Sequence, residues 1–119
     1  MTNGSGVGPK RSGSVPIVFP LSNTKGKIVI PPAKIGSSNA VRLINNTGGL
    51  VRLWIPKGDS LFKPLPGGQD FNDLVIGDGK TLELDVLDTP ANGDYPYHVY
   101  CDSVGDYAEG GSPPNMSCP

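Results

Sequence analysis

Apolar and polar residues alternate in short runs along most of this chain, with turn residues between the runs. Thr81-Leu82-Glu83-Leu84-Asp85-Val86-Leu87 puts Leu82, Leu84 and Val86 on one side. A period of two is that of a strand with one buried face. Ala40–Ile44 and Leu50–Ile55 repeat it, with Val41, Leu43, Val51, Leu53 and Ile55 inward and Arg42, Arg52 and Trp54 on the other side. Between them, Asn45-Asn46-Thr47-Gly48-Gly49 tolerates positive φ and predicts a hairpin. Val15-Pro16-Ile17-Val18-Phe19 reads as an edge strand because its proline cannot donate to a ladder. Lys27-Ile28-Val29-Ile30 reads as another strand, stopped by Pro31-Pro32, and Leu74-Val75-Ile76 as a short one before the turn Gly77-Asp78-Gly79. The stretch from Pro56 to Asp73 is irregular, but Leu61, Phe62, Leu65 and Phe71 give it enough apolar weight to fold onto the rest. No ten-residue stretch carries a helical period. Seven or eight short strands with turns at near-regular spacing predict an all-β fold, a Greek-key β-sandwich.

One run carries more than a core pattern. In Gly93-Asp94-Tyr95-Pro96-Tyr97-His98-Val99-Tyr100-Cys101, alternation puts Tyr95, Tyr97, Val99 and Cys101 on one face and Pro96, His98 and Tyr100 on the other. The first set is a core face, and His98, the only histidine, looks away from it. Gly-x-Tyr-x-Tyr-x-Val-x-Cys, late in a short all-β chain and followed by a Gly/Pro-rich loop with a methionine, resembles the cupredoxins. The resemblance covers roughly residues 27–118, with its motif concentrated in residues 93–116. Tyr97, Val99 and Cys101 match the family's second-to-last strand, and Met116 matches its axial methionine. The resemblance implies a cupredoxin-like sandwich and raises the alternative of a copper-binding electron-transfer or copper-carrier protein.

Composition supports the strands. The chain has 119 residues with 17 Gly and 13 Pro, about twice ordinary usage, so a helical bundle is excluded. The length fits one domain: residues 1–14 read as a flexible N-terminal tail or linker, and residues 15–119 as the sandwich. No run of eighteen apolar residues is present, which predicts no membrane insertion, and the polar N-terminus offers no signal-peptide core. The net charge of −1 argues against nucleic-acid binding. Its distribution is uneven: residues 1–63 carry nine Lys/Arg and one acid, and residues 64–119 one base and ten acids. This reads either as two sets of strands attracting each other or as a dipolar surface that favours a charged partner or self-association. Asn3-Gly4-Ser5, Asn45-Asn46-Thr47 and Asn115-Met116-Ser117 fit the glycosylation pattern.

The two cysteines, Cys101 and Cys118, could close a loop made mostly of Gly, Pro, Ser and Asp. A disulfide between them would contribute about 3 kcal/mol and would place the protein in the periplasm or outside the cell; the other reading is two unrelated reduced thiols. A type 1 copper site needs two histidines, a thiolate and a weak axial ligand. This chain has one histidine, on the face opposite Cys101. No metal ligand and no cofactor is therefore assigned. The oxygens of Asp70, Asn72, Asp73 and Asp78 lack the calcium-loop spacing, and no nucleophile elbow or phosphate loop accompanies His98. A catalytic role is not expected. The expected function is a non-catalytic binding or structural module whose partner is another protein or a second copy. The candidate surface is Trp54, Asp106, Tyr107, Glu109 and Met116, with the loop Asp102–Ser117 lying next to the irregular segment Lys57–Asp73.

Overall fold

The computed structural model describes residues 11–110 and 114–118. Its strands are β1 (Ser14–Phe19), β2 (Ala33–Lys34), β3 (Ala40–Asn45), β4 (Val51–Trp54), β5 (Leu74–Ile76), β6 (Thr81–Asp85), β7 (Gly93–Pro96), β8 (His98–Cys101), β9 (Asp106–Tyr107) and β10 (Asn115–Cys118). Eight of these have three to six residues and two have two, and the only helices among the described residues are two single 3₁₀ turns in the irregular segment. The all-β expectation holds.

Three sheets form, with strand orders β1-β3-β6, β2-β10-β7 and β5-β4-β8-β9. β1 lies parallel to β3 with Pro16 opposite Arg42, at a sheet edge, the position in a sheet where a proline is tolerated. The inward residues read from alternation are buried: Val41, Leu43, Val51, Leu53, Ile55, Leu84 and Val86 join Ile17, Phe19, Tyr97 and Met116 in one core. Leu61, Phe62 and Leu65 anchor the irregular segment in that core, as their apolar weight requires.

Several local expectations are corrected. β3 and β4 do not pair with each other; β3 pairs with β1 and β6, and β4 with β5 and β8. The stretch between them is a corner between sheets, and Asn45 holds it. Its fully buried amide donates to the carbonyls of Gly49 (2.8 Å), Ile76 (2.9 Å) and Gly77 (3.0 Å). Its Oδ1 accepts from the Thr47 amide (3.0 Å) and hydroxyl (2.7 Å). Every polar atom of the side chain is thereby satisfied in the interior, which is the condition for burying it. The same burial withdraws Asn45 as a glycosylation acceptor.

Lys27–Ile30 is not a strand of its own. It makes one parallel bridge at Val29, with Glu109 N–H donating to Ile28 O and Ile30 N–H donating to Glu109 O. In the described end of the expected tail, the Arg11 guanidinium donates to Gly36 O and Ser38 O at 2.9 Å each, and Gly13 O accepts from Asn39. The rest of the expected tail, with Asn3, lies outside the described residues. Finally, the turn Asp102–Gly105 and the segment Lys57–Asp73 sit at opposite ends of the β4–β8 ladder. Val51 pairs with Cys101 at one end and Trp54 with His98 at the other, so that turn lies away from the segment. The later part of the loop comes near it, where Met116 stands opposite Tyr95, whose hydroxyl donates to Ser60 O at 3.3 Å and whose ring lies 5.4 Å from Lys57 Nζ.

The uneven charge is resolved across the fold. All four ion pairs among the described residues join the basic first half to the acidic second: Lys27 with Asp106 and Glu109, Arg52 with Asp102, and Lys63 with Asp88. All are exposed, where such pairs contribute little stability.

Candidate binding face

β8 alternates as its sequence demands, with Val99 and Cys101 fully buried and His98 and Tyr100 half-buried on the outer face. Antiparallel register then sets their neighbours. Trp54 of β4 stands opposite His98, and Arg52 opposite Tyr100. Beyond Cys101 the chain reverses through Gly105 at φ 63°, a left-handed conformation that glycine adopts without a Cβ penalty. Gly105 N–H closes the turn on Cys101 O at 2.9 Å. The returning strand β9 then sets Tyr107 beside Tyr100.

Register thus brings four rings together. Trp54 stacks on His98 with centroids 5.4 Å apart and planes 25° from parallel. Tyr107 meets Trp54 edge-on at 5.6 Å and Tyr100 edge-on at 5.2 Å. These offset and T-shaped contacts are the favourable arrangements for aromatic quadrupoles. Tyr107 is 49% exposed and forms the crest of the cluster. Charges frame it: Arg52 Nε lies 3.8 Å from Asp102, and Lys27 Nζ lies 3.6 Å from Asp106 and 3.5 Å from Glu109. Beside Tyr107 an open cleft of about 310 Å³ is lined by His98, Val99, Asp106, Tyr107, Ala108, Glu109 and Pro114.

Of the surface residues expected from sequence, the structure brings Trp54, Asp106, Tyr107 and Glu109 to this face. Met116 is not among them. It is fully buried, because β10 pairs with β7 and turns Met116 inward opposite Tyr95. His98 and Tyr100 were absent from the expected surface, although alternation along β8 already turns them outward.

No protein-family model matches the chain, and no curated protein does. Solved structures do match it. The chain is similar to a laccase-like multicopper oxidase from the lignin-degrading bacterium Ochrobactrum sp., with TM-score 0.60 and 15% identity over 93% of this chain and 32% of that one. It is similar to another multicopper oxidase, with TM-score 0.56 and 15% identity over 93% of this chain and 45% of that one. It is also similar to a purple cupredoxin from Nitrosopumilus maritimus, with TM-score 0.52 and 15% identity over 88% and 99%. The fold is that of the cupredoxins. The chain spans about a third of the first oxidase's length and nearly all of the purple cupredoxin's.

The residues of this cupredoxin-like domain do not fit a type 1 copper centre. His98 and Cys101 leave their strand on opposite faces. Met116 pairs with Tyr95 on β7, six residues before Cys101, in a different sheet from the β8 that carries Cys101. Burial, with Asp102 and Asp106 beside it, pushes the Cys101 thiol up to about 11. Among the described residues no three His, Cys, Asp or Glu side chains converge.

The expected disulfide does not form either. Cys101 and Cys118 are both buried and are not joined. Cys118 pairs with Gly93 at the start of β7, eight residues before Cys101, which ends β8 in a different sheet. A disulfide requires Cα atoms within about 7 Å. The sixteen residues between the cysteines bring Cys118 back to the start of that run, opposite Gly93, and not to its end.

Proposed function

We propose that this cupredoxin-like domain is a non-catalytic module without bound copper that binds a protein partner through the ring face of Trp54, His98, Tyr100 and Tyr107. One observation carries the reading. The sulfur residues Cys101, Cys118 and Met116 are buried in the core, while the one histidine, His98, stands with Trp54, Tyr100 and Tyr107 on an outer sheet face flanked by Arg52. Tryptophan, tyrosine and arginine are the side chains that most often anchor protein interfaces. Rings already packed against one another lose little conformational freedom on binding. A place outside the cytoplasm belongs to the same reading, and the fold supports it.

The test is a photo-crosslinking residue at Tyr107 in cells that make the protein, compared with the same residue at Glu83, exposed on β6 of the other sheet. A discrete protein adduct from position 107 and none from 83 is expected. Equal labelling at both positions would overturn the reading, as would stoichiometric copper with intense visible absorption in the purified protein.

A further inference from the structure

We infer that the cleft beside Tyr107 receives an arginine side chain of the protein partner; this rests on the binding-module reading above and names its chemistry. The cleft has two kinds of wall. One is aromatic, formed by His98 and the exposed ring of Tyr107, which Trp54 and Tyr100 hold in place from behind. The other is acidic, formed by Asp106 and Glu109. These two carboxylates already converge on one cation, since Lys27 Nζ lies within 3.6 Å of Asp106 and 3.5 Å of Glu109. Lys27 is not part of the cleft wall, so it reaches the carboxylates from outside the cleft. One lysine against two carboxylates leaves one net negative charge at the lip. Asp102, the next acid along the chain, is occupied by Arg52 at 3.8 Å and adds nothing to it.

A cation is therefore complementary to the cleft, and an anion such as a phosphate is repelled. Guanidinium fits better than ammonium. Its plane lies on a ring face, and its fork of donors reaches a carboxylate at the same time. A volume of about 310 Å³ is ample for one such side chain. Lys27 competes for the same carboxylates and so sets the affinity. Its removal strengthens binding, a sign opposite to that for any residue acting only as a contact.

The experiment titrates acetyl-Gly-Arg-Gly-amide into the protein, with the uncharged citrulline peptide as its isostere. Binding is followed by the amide resonances of His98 and Asp106–Glu109 and by the fluorescence of Trp54, the only tryptophan. Saturable shifts at those residues are expected for the arginine peptide, with the citrulline peptide weaker by about threefold or more, the scale of an exposed ion pair. Lys27→Ala tightens binding and Glu109→Gln or Asp106→Asn loosens it, with the remaining amide spectrum unchanged. Equal binding of the two peptides, no binding of either, or weaker binding by Lys27→Ala would each overturn the inference. If the arginine peptide fails while position 107 still yields its adduct, only the cation chemistry is lost; if both fail, the binding-module reading goes too.

Discussion

The strand formed by β7 and β8 has two faces that spend similar residues in opposite ways. Inward lie Tyr95, Tyr97, Val99 and Cys101, with Met116 opposite Tyr95. Outward lie His98 and Tyr100, joined by Trp54 and Tyr107. On the inner face burial disarms reactive groups. It raises the Cys101 thiol, lifts the Tyr97 hydroxyl well above its ordinary value, and leaves that hydroxyl without a hydrogen-bond partner. On the outer face the rings touch but stay partly in water, so each can still exchange a neighbour for a partner. Residue type therefore says little about chemistry in this chain, and the side of the sheet says much.

The sharpest way to break the contrast is to damage the interior where it is polar. Asn45→Ala takes the side-chain partner from the carbonyls of Ile76 and Gly77 and from the Thr47 amide at a buried corner, while the Thr47 hydroxyl keeps Gly49 O. With roughly 1–3 kcal/mol for each buried polar group stranded, a total loss of about 3–5 kcal/mol is expected in denaturant unfolding. A loss under 1 kcal/mol would mean that water replaces the side chain and that the corner is not interior.

A second test uses pH. Because the folded Cys101 has its pKa raised to about 11, the folded chain keeps a proton that the unfolded chain gives up at lower pH. Stability from this group is complete below the ordinary thiol range and falls as pH rises from there through about 11. Tyr97, also raised, adds a loss that begins above the ordinary tyrosine range. Denaturant midpoints measured from pH 7 to 11 should decline, and Cys101→Ala should flatten the first part of the decline. A Cys101 thiol that alkylates at neutral pH as fast as a free peptide would contradict the burial.

The smallest stability effect belongs to the outer face. Tyr107→Ala removes a ring that is half in water and two edge contacts, and should cost about 1 kcal/mol or less. It should nonetheless change the emission of Trp54 and abolish partner binding. A large stability loss would move Tyr107 to the structural side of the comparison.

Much of this was legible in the sequence. The inward and outward sides of β3, β4, β6 and β8 follow from a period of two that needs no tertiary information. The Tyr-x-Tyr-x-Val-x-Cys strand points to the cupredoxin fold that solved structures share. The same alternation places Trp54, His98 and Tyr100 outward, and the loop composition leaves Asp106, Tyr107 and Glu109 exposed. Met116 was misplaced because a methionine in a Gly/Pro-rich loop reads as loop, whereas it falls on a strand paired at both edges. Asn45 was misread for a related reason, since Asn and Gly serve a hairpin and a sheet-crossing corner equally well.

Sequence alone determined which side of each strand is apolar, because side chains alternate whatever the strand pairs with. It could not determine pairing, which depends on residues far apart in the chain. Only tertiary structure decided that Cys118 returns to Gly93 and not to Cys101, and that β3 and β4 part to different sheets. Pairing likewise set Trp54 against His98 and Tyr107 against Tyr100, and so made four scattered rings into one face. Local chemistry fixes a residue's direction; only the register between strands fixes its neighbours.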